Sequence, residues 1–161
     1  MTNPISSRLP IALSFLLAGL LFAAAPAHAQ AVSTSSFTIQ VSGTASAVKT
    51  GLPETVTFSG PLIVTSTIVN DPTLGPTVSL WVDGRGVTGT GNKTKTAYAN
   101  TCVATLTRAY RLTDTVQMTF AFYQNTPGGF MSGKTGVLTL NLTYDATTQS
   151  LTSATASLGT M

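Results

Sequence analysis

From residue 30 onward the chain has no histidine; its only one is His28. Without an imidazole to act as base, Ser-His-Asp and Cys-His nucleophilic chemistry is excluded there, and so are histidine-based zinc sites. A Ser-Lys alternative lacks its local motif. Cysteine is almost as scarce. Cys102 stands alone, so no intramolecular disulfide can form. It reads either as a small buried hydrophobe or as an exposed thiol that pairs with another chain. Charge is thin as well: Asp, Glu, Lys and Arg make up 8% of the residues, against about a quarter in ordinary domains. The eight basic and five acidic side chains are scattered, which gives no nucleic-acid footprint. The acids are Glu54, Asp71, Asp83, Asp114 and Asp145, all at or beside turn signals. Acids at such places bond nearby backbone amides. Their spacing asks neither for a glycosidase pair nor for a calcium loop. The expectation is a protein that is not an enzyme and carries no cofactor and no metal.

Long apolar runs are missing too, with one exception. Residues 11–25 (IALSFLLAGLLFAAA) follow Arg8 and precede Pro26-Ala27-His28-Ala29. The run is short of the roughly 20 residues that span a bilayer as a helix. A positive residue, an apolar stretch and a small-x-small ending together read as a signal peptide, cleaved near Ala29-Gln30. The expected organisation is a signal peptide over 1–29, a flexible N-terminus over 30–35 and one domain over 36–161, secreted or periplasmic.

What the chain has instead of charge is threonine, 29 of them from Gln30 onward. Phe37, Ile39 and Val41 alternate with Thr38, Gln40 and Ser42. Val116, Met118, Phe120 and Phe122 alternate with Thr115, Gln117 and Thr119. Leu138, Leu140, Leu142 and Tyr144 alternate with Thr139, Asn141 and Thr143. A period of two marks half-buried strands, and β-branched residues suit that backbone. Turn signals at Gly51-Leu52-Pro53, Asn70-Asp71-Pro72, Asp83-Gly84 and Thr126-Pro127-Gly128-Gly129 separate the runs. The reading is strands near 36–47, 54–59, 62–69, 77–83, 86–90 with 95–100, 102–111, 115–124, 136–145 and 151–159. That is an all-β, single-domain antiparallel sandwich or small barrel of about eight to nine short strands.

Two glycine motifs match nucleotide-binding expressions by letter. Gly128 to Thr135 fits GxxxxGK[ST], but it leads into a strand pattern, whereas phosphate binding needs a following helix. Gly84 to Gly89 fits GxGxxG without a βαβ unit around it. Both read as glycine-rich turns, and no nucleotide is expected. T-x-T pairs such as Thr65/Thr67 and Thr105/Thr107 place two hydroxyls on one strand face. Their irregular spacing along the chain does not match an ice-binding solenoid and reads as a solvated sheet face.

Three functions fit these features. The first is an exported, non-catalytic β-domain that binds or assembles. The second is an eight-stranded outer-membrane barrel, against which stand sparse aromatics and a C-terminus without an aromatic residue. The third is a calycin-like barrel holding a small apolar ligand. The partner would be such a ligand or another surface. Trp81 and Tyr123 face away from their strands' apolar stripes. With Arg85, Lys93, Lys95, Phe130 and Lys134 they make up the candidate interaction surface.

Overall fold

The computed structural model describes residues 30–126, 129–130 and 133–159; the expected signal segment lies outside the described residues. The two-residue alternation becomes ten strands. They are β1 (Gln30–Ala45), β2 (Val56–Asp71), β3 (Gly75–Asp83), β4 (Thr88–Gly91) and β5 (Ala97–Asn100), then β6 (Val103–Ala109), β7 (Thr113–Thr126), β8 (Gly129–Phe130), β9 (Lys134–Tyr144) and β10 (Leu151–Gly159). A single helical turn, α1 (Ala47–Thr50), ends on Gly51 in the left-handed conformation with φ of 65°. Nine strands form one antiparallel sheet, and the two-residue β8 pairs with the end of β7.

The sheet is a meander. β3 and β4 lie end to end along β2, pairing with Ile63–Asp71 and Val56–Ser59. β6 and β5 follow them in turn. The courses therefore run β1, β2, β3–β4, β5–β6, β7, β9, β10. Seven alternating courses leave the first and last running the same way, and these two lie side by side. Near one end the Leu151 N–H donates to Ser35 Oγ at 3.2 Å. Near the other, a Cβ on Gly43 would stand 2.5 Å from Leu158 Cβ. No backbone ladder joins β1 to β10 among the described residues.

Two courses are interrupted at the same level. Gly84 to Val87 bulge between β3 and β4, and Thr101-Cys102 separate β5 from β6. Asn100 ties the interruptions together. Its Nδ2 donates to Gly84 O, its Oδ1 accepts the Cys102 N–H at 2.6 Å, and the Gly84 N–H reaches Cys102 O at 2.8 Å. Facing the bulge, Gly60 takes φ of 146°; a side chain there would run into the Gly86 carbonyl.

The bulge explains why one strand looks like two in the sequence. Gly60-Pro61 looks like a break between 54–59 and 62–69, yet β2 runs unbroken for 16 residues. Pro61 stands where the neighbouring course has left the ladder, between Ser59 and Ile63, so its missing N–H costs no pairing on that side. Residues 30–35, expected as a loose lead-in, pair with β2 instead, with Thr34 and Ser35 opposite Thr67 and Ser66. The GxGxxG stretch forms the bulge and the start of β4, and Lys134 of the other glycine motif opens β9 rather than a helix.

Apolar side chains point inward along every long course. Phe58 packs edge-on against Phe120 and Phe122 at ring distances of 5.4 and 4.8 Å. All three are buried, each contributing about 1.5–3 kcal/mol by leaving water. Towards the other end Tyr144 packs on Tyr110 at 5.6 Å, and its hydroxyl accepts from Ser66, the polar member of an otherwise apolar inner stripe on β2, at 3.3 Å. Cys102 is buried, its thiol 3.5 Å from Thr119 O. Burial pushes that thiol above its ordinary pKa, so the small-hydrophobe reading describes it.

Candidate functional site

The outward face of β1, β2, β3 and β6 is built by register. Thr34, Thr67, Ser79 and Thr107 stand directly opposite one another across the four strands, a continuous row of hydroxyls. The next row is Ser36, Thr65, Trp81 and Thr105; the third is Thr38, Ile63, Asp83 and Val103. Adjacent hydroxyls bond laterally, Thr34 to Thr67 at 3.2 Å and Ser36 to Thr65 at 3.0 Å. Two of the T-x-T pairs, Thr65/Thr67 and Thr105/Thr107, thus fall into aligned rows.

Trp81 lies at the middle of this face, 38% exposed, with Ile63 at 37% and Val103 at 46% on its diagonals. Beside it Asp83 and Arg85 form a fork. Arg85 Nη2 donates to Oδ2 at 2.7 Å, Nε donates to Oδ1 at 3.0 Å, and the Arg85 backbone N–H adds another bond to Oδ1. The guanidinium beside it holds the Asp83 carboxyl below the usual range, and the carboxylate raises Arg85. The Arg85 side chain remains 64% exposed while its partner is 11% exposed. Asp83 is the only charged residue in the three rows, and Arg85 offsets it. A shallow depression of about 440 Å³ opens beside the fork, between Pro61, Ile63 and Gly86.

The remaining expected residues fall elsewhere. Tyr123 and Lys134 share the wall of a pocket of about 230 Å³ with Leu52, Pro53, Tyr98 and Phe122. Lys93 and Lys95 occupy the loop between β4 and β5. That loop is held by Glu54, which is 3% exposed and accepts the Lys93 and Thr94 N–H groups at 2.6 and 2.9 Å and the Thr94 hydroxyl. Lys95 Nζ donates back to Asn92 O at 3.0 Å. Phe130 lies in β8, and its side chain is outside what is described. The expected surface is therefore three places, not one, and only Trp81 and Arg85 share a face with the hydroxyl rows.

Ile63, Val103 and Asp83 belong to that face and were not singled out in sequence. Ile63 and Val103 look like ordinary core residues until phase is checked. Ile63 is out of step with Leu62, Val64 and Ile68, and that offset was the available signal. Asp83 read as a turn acid. No family model matches this chain, and neither do curated proteins or solved structures.

Proposed function

We propose that this chain is an exported, non-catalytic β-domain that works by binding, with the face around Trp81 as its working surface. One observation carries the reading: every acid from Gln30 onward is already engaged. Asp71 accepts the Thr73 and Leu74 N–H groups, Asp145 those of Thr147 and Thr148, and Glu54 those of Lys93 and Thr94, while Asp83 and Asp114 pair with Arg85 and Arg108. A general acid must hold its proton near neutrality. Four of these five carboxyls are held lower than usual, which works against that role.

We read the rolled meander as a flattened barrel left open between β6 and β7, rather than as two separate sheets. One continuous sheet with adjacent first and last courses supports this. A lipid-facing barrel would carry its apolar band outward, but here the outward rows are hydroxyls and the apolar stripe lies inside. A calycin-like ligand barrel would need an internal cavity. Phe58, Phe120 and Phe122 fill the middle, and the end pocket of about 230 Å³ is below the roughly 300–1,000 Å³ of small-molecule sites.

The test is to express the full chain in a Gram-negative host and to sequence the N-terminus of the protein recovered without detergent. A product starting at Gln30 and found outside the inner membrane is expected; an intact N-terminus in the membrane fraction overturns the export reading. Turnover by the processed protein, abolished by replacing one of its five acids, overturns the non-catalytic reading.

A further inference from the structure

We propose that the outward face of β1, β2, β3 and β6 binds a neutral polysaccharide, with one sugar ring lying on Trp81 and its neighbours along the hydroxyl rows. The inference rests on the binding reading above and names the ligand class. Trp81 offers an apolar aromatic surface beside polar groups, the combination that suits a pyranose, whose ring presents C–H on its faces and hydroxyls at its rim. The aromatic side chain stands between Thr65 on one side and Thr105 on the other. These hydroxyls can donate or accept, so they match a rim of hydroxyls in either sense. The Asp83–Arg85 fork, one row away, adds charge-assisted bonds of fixed direction. It engages Nε and Nη2 of the arginine and leaves Nη1 for another partner.

Charge selects among occupants. The rows carry one acid, neutralised by Arg85, so the face attracts neither a polyanion nor a polycation. Composition argues against a protein partner. A protein interface buries an apolar core, and here only Ile63, Trp81 and Val103 supply exposed apolar surface within rows otherwise made of hydroxyls and Asp83. Trp81 breaks the flat hydroxyl lattice that a crystalline surface such as ice would require.

The single tryptophan of the chain makes the test direct, because fluorescence reports this face alone. The processed chain is run in native gels containing hydroxyethylcellulose, dextran, laminarin or soluble chitin oligomers, with alginate and heparin as charged counterparts, and its emission is titrated with the same glycans. Retardation by at least one neutral glycan, a shift in Trp81 emission, and at least a tenfold weaker interaction for Trp81→Ala are expected. Trp81→Phe should keep part of the binding, and Lys134→Ala all of it. A paired Thr65→Val, Thr105→Val variant keeps β-branched side chains and removes hydroxyls. It should weaken binding with an unchanged melting curve, which separates loss of contact from loss of fold. The proposal fails if no neutral glycan retards the protein, if the charged glycans bind as well, if Trp81→Ala binds like the parent, or if Trp81 instead drives self-association in light scattering. Glycan turnover would sink the non-catalytic reading as well; silence without turnover sinks only this inference.

Discussion

Glu54 illustrates how this chain uses its few charges. It lies almost wholly inside, yet donors from Thr94 and Lys93 hold its pKa below the ordinary carboxylate range. Asp71, Asp83 and Asp145 are lowered in the same way, by N–H donors from Leu74, Arg85 and Thr148. A carboxyl whose folded pKa lies below its unfolded value adds stability that is complete above the unfolded value, about pH 4, and is lost as pH falls through the folded one. No histidine is present from Gln30 onward to add a step near neutrality. The thermal midpoint of the processed chain should therefore stay level between about pH 8 and pH 5 and drop below about pH 4. Glu54→Gln should make the acid limb shallower. Melts followed by circular dichroism check this, and a midpoint already falling between pH 7 and 5 contradicts it. Asn100 gives the other residue-scale prediction. Asn100→Ala strands the buried N–H of Cys102 and leaves the Gly84 carbonyl with the Val87 N–H alone, so it should cost about 1–3 kcal/mol in urea unfolding; a loss under about 1 kcal/mol would mean the latch is not needed. The turn roles of Asp71 and Asp145 were legible because their partners lie two and three residues on. Those of Glu54 with Lys93 and of Asn100 with Gly84 were not, because these partners stand 39 and 16 residues away.

At the scale of single elements, β6 has the edge that faces a gap. It pairs with β3 on one edge and, among the described residues, with no strand on the other, while Thr113–Ala121 of β7 has only β9 as a ladder partner and β5 joins β7 from Phe122 onward. Such an edge invites another strand. Arg108 and Asp114 stand across the gap and meet at 2.6 and 3.1 Å, placing charge where an incoming apolar strand would have to fit. Arg108→Val removes that guard and adds β-propensity to the edge. It should increase concentration-dependent self-association over the parent in sedimentation, an increase that the double variant Arg108→Val, Thr107→Pro suppresses; a single variant that associates no more than its parent at high concentration refutes the guarding role. The alternation exposed most strands in sequence, including 151–159 with its bounds, since phase is a local property. The splaying of β6 was illegible for the opposite reason. It follows from the tie among Gly84, Asn100 and Cys102, which depends on which course lies beside which.

For the whole molecule the decisive feature is how the meander ends. An odd number of courses brings β1 and β10 together in the same direction, with no ladder between them, so side-chain fit must hold the seam. The β1–β2–β3–β6 ladders place Ser36 and Thr105, 69 positions apart in sequence, in a single outward row; that row cannot be found from spacing along the chain, because register alone creates it. Gly43 is a tight point of the seam. A methyl there would stand 2.5 Å from Leu158 Cβ and 3.2 Å from its carbonyl oxygen, so β10 must shift outward to admit it. Gly43→Ala would ordinarily favour a strand by removing glycine's freedom in the unfolded chain, by about 0.4–1 kcal/mol. Here overpacking of about 1–3 kcal/mol opposes that gain and exceeds it. The variant should unfold at lower urea, and amide exchange should quicken in β10 and the Gly43 end of β1 while β2 and β3 keep their protection. Leu158→Ala removes the colliding side chain beyond its Cβ but not the Cβ itself, so adding it to Gly43→Ala should recover only part of the loss. A Gly43→Ala protein as stable as its parent, with uniform exchange, would mean that β1 and β10 are not held together in solution and that the sheet closes elsewhere or stays open.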